Sequence, residues 1–269
     1  MAALGYGIGD FLGGSATRKI AAGRTLLWGH LIGLVLLVAW MPFDTGVAAG
    51  GDLLAGALAS IFGLSGLIFL YNGLARGRAA VVAPAAAVVG AVIPVVAGVG
   101  QGDAPGALGW LGVMAALPAI YLVSTVEGEG RSGAGLGYGV AAGVLFGGYF
   151  VALAGAGADA GMWPLVASRS LSVLILAVIA LVGPRVWLRP PTGGVGWAVL
   201  GVGVLDLVGN IGYLLAANLA SLVVVAVVAS LYPAVTVLMA RVIHLEHLSP
   251  RQVGGLSLGV LAVALLSIP

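Results

Sequence analysis

Apolar stretches of about twenty residues, the length that crosses the hydrocarbon of a bilayer, follow one another along nearly the whole chain. Ten can be read, at 2–17, 24–42, 52–72, 79–99, 106–125, 134–154, 162–183, 194–215, 221–242 and 251–268. Charge, proline and glycine collect in the short breaks between them. Ten such stretches use up almost all of the 269 residues and leave no room for a soluble domain. Composition agrees: 7% of the residues are charged, whereas a soluble domain carries about 25% to cover its surface. The 46 glycines fit as well, because glycine is commoner in membrane helices than in soluble ones. A soluble enzyme, a nucleic-acid-binding protein and a disordered tail are excluded. The expected fold class is an all-α polytopic membrane protein with ten transmembrane helices.

The first stretch begins almost at Met1 and is read as a true span, shortened at its start. Its positive flank, Arg18 and Lys19, follows the apolar run. A cleavable signal peptide puts its positive charge before that run. A β-barrel would show segments of about ten residues with alternating polarity. Runs such as Leu222-Val-Val-Val-Ala-Val-Val are continuous and sit inside longer apolar stretches, so the barrel loses. The absence of cysteine removes disulfides, thiolate metal sites and cysteine nucleophiles.

The charges sort by side. The odd connections hold Arg18, Lys19 and Arg24, then Arg76 and Arg78, then Arg131, then Arg185 and Arg189, then Arg241 and Arg251. The even connections hold Asp44 and Asp52, Asp103, and Asp159, with no Lys or Arg. Short cytoplasmic loops carry the Lys and Arg excess, which puts the odd connections inside and both termini outside. A missed or invented span would scramble this alternation.

The chain also reads as two halves of five spans, 1–126 and 134–269. A shift of 142 places Tyr71 on Tyr213, Ala75 on Ala217 and Ala79 on Ser221. Five is odd, so the halves cross the membrane in opposite senses. Such inverted repeats are typical of secondary transporters.

Two further passages carry a resemblance. One is Leu231-Tyr-Pro-Ala-Val-Thr-Val-Leu-Met-Ala-Arg241, then Leu245-Glu-His-Leu-Ser-Pro-Arg-Gln252 and the helix with Gly254-Gly255. The other is Gly9-Asp-Phe-Leu-Gly-Gly14 followed by Arg18. With ten spans in a five-plus-five arrangement, they resemble the EamA branch of the drug/metabolite transporter superfamily. The resemblance covers essentially the whole chain. The first repeat departs from the family pattern in its Gly100-Gln-Gly-Asp-Ala-Pro105 turn, which lacks the glutamate, and Leu245 stands where a glycine usually precedes Glu246. Membership implies export of an amino acid, metabolite or drug-like solute and leaves the substrate unspecified.

A charged side chain near the bilayer centre costs about 2.5–3.5 kcal/mol on insertion scales, so each one in a span needs a reason. The ionisable groups in the spans are Asp10, His30, Arg169 and Asp206. Asp206 lies near the middle of the eighth span, with Asn210 at i+4 and Tyr213 at i+7 on the same face. That stripe reads as a cavity lining or as a set of helix–helix hydrogen bonds. Arg169, among Ser168, Ser170 and Ser172, has Asp206 or Asp10 as its candidate partner, or it anchors a substrate carboxylate. Asp10 is central in a glycine-rich first span. Asp10, Asp206 and His30 are candidates for proton coupling; a lone His is more often a satisfied core group.

Pro84 and Pro94 in the fourth span and Pro233 in the ninth occupy related stretches of the two halves. Proline frees a carbonyl and kinks a helix, and interrupted helices in corresponding positions point to a transport site. Tyr232 and Thr236 flank Pro233. The six tryptophans mostly fall near span ends, where an interfacial belt explains them. Gly63-Leu-Ser-Gly66 resembles a rhomboid-protease nucleophile motif, but a serine nucleophile needs a histidine base within reach, so it reads as a packing face. His244-Leu-Glu-His247 lacks the spacing of a zinc helix.

The expected function is a secondary active transporter of a bacterial-type cytoplasmic membrane, exporting a small organic metabolite by alternating access. The substrate-binding candidates are Asp10, Arg169, Asp206, Asn210, Tyr213 and Tyr232, in a cavity lined by spans one, three, four, six, eight and nine. No enzyme activity, cofactor, metal or nucleic-acid partner is expected. The partners are a small solute and the bilayer; the oligomeric state is open and a monomer is compatible with it. An intramembrane enzyme using Ser65 or an aspartate, and a passive channel, are the alternatives.

Overall fold

The computed structural model describes residues 1–47, 49–76, 79–102, 106–124, 135–232, 234–235, 239 and 249–266. Among them there is no β-strand. In chain order the α-helices are α1 (Ala2–Thr17), α2 (Ala22–Trp40), α3 (Gly50–Arg76), α4 (Ala79–Gly100) and α5 (Ala107–Ser124). They continue with α6 (Leu136–Ala154), α7 (Trp163–Val182), α8 (Gly193–Ala217), α9 (Leu222–Ala229) and α10 (Pro250–Leu266).

Every predicted stretch therefore contains helix. By length and composition, five helices are apolar and long enough to cross a membrane: those at Ala22–Phe43, Gly50–Ala75, Leu136–Ala154, Trp163–Val182 and Gly193–Ala217. Shorter apolar segments lie at Ala85–Gly100, Ala107–Leu122 and Val253–Ala262. α3 runs past its predicted end at 72 to Arg76. α9 is shorter than predicted among the described residues. Ser221 caps its start by accepting the Val224 N–H at 3.5 Å, and it gives way to a turn at 230–231 before Tyr232 becomes helical again.

α3 packs against α6 and α7, α8 against α1 and α2, α4 against α6 and α9, α5 against α10, and α2 against α7. Small residues set the closest of these approaches. A Cβ at Gly5 would lie 2.6 Å from the Gly209 nitrogen, so α1 and α8 touch backbone to backbone there. On α6, a Cβ at Gly143 would lie 2.7 Å from the Ala86 carbonyl oxygen of α4. Lipid tails are as apolar as leucine, so close packing of this kind, rather than hydrophobic burial, holds membrane helices together.

The loops at each end of the bundle are tied to one another. At one end, the Asp44 carboxylate accepts the Met162 N–H at 3.1 Å, and Val47 donates to the Asp159 carbonyl at 2.8 Å. Asp52 accepts N–H groups from Ala49 at 2.7 Å and from Gly157 at 2.8 Å. Gly161, at φ +54, makes the turn that brings this loop against Asp44, a conformation glycine adopts without steric cost. At the other end, Arg24 donates to the carbonyls of Arg189 at 2.9 Å and Pro190 at 3.2 Å, and the Trp28 indole donates to Trp187 at 2.9 Å.

Candidate functional site

Midway along the bundle the helices leave a cavity, with about 550 Å³ of empty space when its open side is included. α1 contributes Tyr6 and Asp10, α2 His30, α3 Ser60, α6 Tyr149, α7 Arg169 and α8 Asp206 and Asn210. Tyr232 enters just beyond the turn that ends α9. The expected lining is thus corrected in part. Among the described residues α2 and α7 take part and α4 does not. The reason is packing, because α4 uses its inner face against Gly139, Gly143 and Gly147 of α6.

At the polar centre, Arg169 Nη2 donates to Asp206 Oδ2 in an ion pair, with side chains 4% and 16% exposed. This decides between the two candidate partners of Arg169: Asp206 takes the guanidinium. Asn210, one turn along α8, donates to Asp206 Oδ2 at 3.4 Å. Its carboxamide oxygen accepts two phenols at once, from Tyr6 at 2.8 Å and from Tyr149 at 2.7 Å. Both lone pairs of that oxygen are used, so the amide orientation is fixed from both ends. The chain of bonds joins α1 and α6 to α8, and α8 to α7.

Tyr213, the third member of the predicted stripe, sits behind the site. Its side chain is fully buried and its hydroxyl donates to the Phe150 carbonyl at 3.1 Å. Its ring packs on Phe150 with centroids 4.6 Å apart. Seven residues carry Tyr213 about 10.5 Å along the axis of α8 from Asp206, and at that level it packs against Phe150 instead of lining the cavity.

Asp10 lines the cavity from α1 and has no ion-pair or hydrogen-bond partner among the described residues. It does face Asp206, Tyr71 and Tyr232 closely enough to interact electrostatically. His30 is 5% exposed, and neither ring nitrogen has a hydrogen-bond partner among the described residues. Nearby, the hydroxyls of Ser60 and Ser172 bond to each other at 2.7 Å.

α4 continues through Pro84 and Pro94 without a break in helix. Pro233, Thr236 and His244-Leu-Glu-His247 lie outside the described residues. Gly63 and Gly66 are a packing face: a Cβ at Gly63 would lie 2.8 Å from the Tyr149 ring, and one at Gly66 would lie 2.7 Å from the Phe146 ring. Among the described residues no group of three or more His, Cys, Asp or Glu is placed to hold a metal ion.

Sequence reasoning missed Tyr6, Tyr149, Ser60 and Phe146. Tyr6 carried a signal, since it lies at i−4 from Asp10 on the same face of α1. Tyr149 and Phe146 carried none, as an aromatic residue in an apolar span reads as lipid-facing or core.

The sequence pattern of the EamA-like transporter family matches residues 133–268. No curated protein matches the chain in sequence. A solved structure described as "Crystal structure of protein" is similar in fold, with a TM-score of 0.69 and 18% sequence identity. The match covers 99% of this chain and 98% of that one. At that identity the likeness speaks for the fold alone.

Proposed function

The chain belongs to the EamA-like transporter family, and on that premise we propose that it is a secondary active transporter that exports a small organic solute by alternating access. The chain is an integral multi-pass membrane protein, and at family level a transporter of the drug/metabolite type. The observation that carries the finer reading is the central cavity, where a buried ion pair and a two-phenol amide join four helices around a partly open space. Buried ionisable groups inside membrane bundles mark substrate and ion pathways.

In this proposal the ten helices are ten spans, arranged as inverted repeats over 1–126 and 134–269. The pattern of helix contacts supports it. When the halves are exchanged, α1 on α8 becomes α6 on α3, and α2 on α8 becomes α7 on α3. The pairs α2–α7, α4–α9 and α5–α10 map onto themselves. An approximate two-fold axis of this kind lets one half rock against the other around a fixed site. The membrane is a bacterial-type cytoplasmic membrane with both termini outside, from the placement of Arg and Lys. Arg169, Asp206, Asn210, Asp10 and Tyr232 contact the solute, and the turn before Pro233 supplies a bend beside Tyr232. Proton coupling runs through Asp10, Asp206 and His30.

Reconstitution in vesicles tests this. Saturable counterflow of an unmodified solute is expected, and the Asp206→Asn variant should insert normally yet exchange less than a tenth as fast. Covalent conversion of the solute would replace the transporter with an enzyme, and unsaturable flux would replace it with a channel. Wild-type exchange by Asp206→Asn would take Asp206 out of the site.

A further inference from the structure

The charges lining the cavity do not balance. Asp10, Arg169 and Asp206 are its formally charged side chains. Arg169 and Asp206 neutralise each other in their ion pair. Asp10 is left with no cation and no hydrogen-bond donor among the described residues. With all three ionised, the lining carries one net negative charge.

His30 is a second, independent sign that the cavity receives a ligand. It is only 5% exposed, it lines the cavity, and both ring nitrogens lack partners among the described residues. Buried polar atoms are nearly always hydrogen-bonded, and each exception asks for an explanation such as an absent ligand or water. A neutral imidazole offers one donor and one acceptor.

The walls around these two groups are aromatic and apolar, with Tyr6, Phe146, Phe150 and Tyr232 among them. Ring faces attract cations, and more strongly where water is excluded.

Taking the cavity as the transport site, we infer that its substrate is an organic monocation: an amine or quaternary ammonium with an apolar body. The positive charge sits against Asp10 and the body lies among the rings. A neutral polar group, where the solute has one, meets the imidazole of His30. This solute brings the lining to neutrality. An anion would raise the buried charge to two negatives. At Arg169 it would have to share the guanidinium with Asp206, setting two negative charges on one cation while Asp10 stays unpaired. A zwitterion would leave the imbalance as it stands.

The inference rests on the transporter reading but is tested separately, by binding to the purified full-length protein in detergent. The probes are phenyltrimethylammonium, whose charge is permanent, and phenylacetate, an anion of similar size. Calorimetry should show saturable binding of the cation, with phenylacetate at least tenfold weaker. Asp10→Asn should weaken cation binding at least tenfold, and Asp10→Glu should retain it. Should Asp10→Asn not fold, the wild-type protein still answers. Carbodiimide modification of Asp10, followed by peptide mass spectrometry, should be slowed by phenyltrimethylammonium and not by phenylacetate.

Tighter binding of phenylacetate, no binding of the cation, or cation binding indifferent to Asp10 overturns the inference. If vesicles exchange an anion or zwitterion through Asp206 while no cation binds, this inference falls and the transporter reading stands. If the cation binds at Asp10 but nothing is exchanged, the cation site stands and the transporter reading falls.

Discussion

Arg169 and Asp206 set the energetics of the site residue by residue. The pair is buried in the bundle, so each charge is tolerable chiefly because the other is there. Replacing Arg169 with methionine strands the carboxylate, and the expected loss is about 3 kcal/mol, the low end for a broken buried pair, because Asp206 is partly exposed at the cavity. The double variant Arg169→Met with Asp206→Leu should melt close to the wild type, since two apolar residues of similar volume leave no orphan charge. Neither variant should exchange solute. Thermal unfolding of the three proteins in one detergent separates structural need from functional need. A double variant as unstable as the single one would show that the pair is not the source of the loss.

Among the elements, α1 and α8 pack closely because side chains are absent between them. Gly5 meets the backbone of Gly209, with no flexible side chain to move aside. Gly5→Leu should therefore push α1 off α8, at a cost of about 1–3 kcal/mol for overpacking. Because α1 carries Tyr6, the shift should also separate that phenol from Asn210 and remove one of its two hydrogen bonds. A leucine at Gly50, where a Cβ would have nothing within 4 Å, is the control and should be neutral. Thermal midpoints of the two variants provide the check. Equal midpoints would mean that the α1–α8 contact is not tight.

For the whole molecule, the acidic and basic loops mark sides and also close the ends. Asp44 and Asp52 hold one set of loops through backbone N–H groups. Arg24 holds the loop after α7 at the other end through carbonyls. The sidedness inferred from these charges predicts that a reporter fused to the C-terminus is exposed outside the cytoplasm. A reporter active only in the cytoplasm would reverse the orientation and leave the fold intact.

Hydropathy alone determined where the helices lie, because a chain in lipid must satisfy every backbone group within a helix or a closed barrel, and these runs lack barrel alternation. Charge placement determined the proposed sidedness, and the rarity of ionisable residues in apolar spans marked Asp10, His30, Arg169 and Asp206. Sequence could not choose the partner of Arg169, since Asp10 and Asp206 were equal candidates until α8 was placed against α7. It could not see that Tyr6 and Tyr149, 143 residues apart, meet at one amide oxygen. Nor could it tell that Tyr213 falls behind the cavity while His30 enters it. Apolar helices are alike around their circumference, so which face turns inward is set by close packing between distant parts of the chain, and that packing exists only in the folded structure.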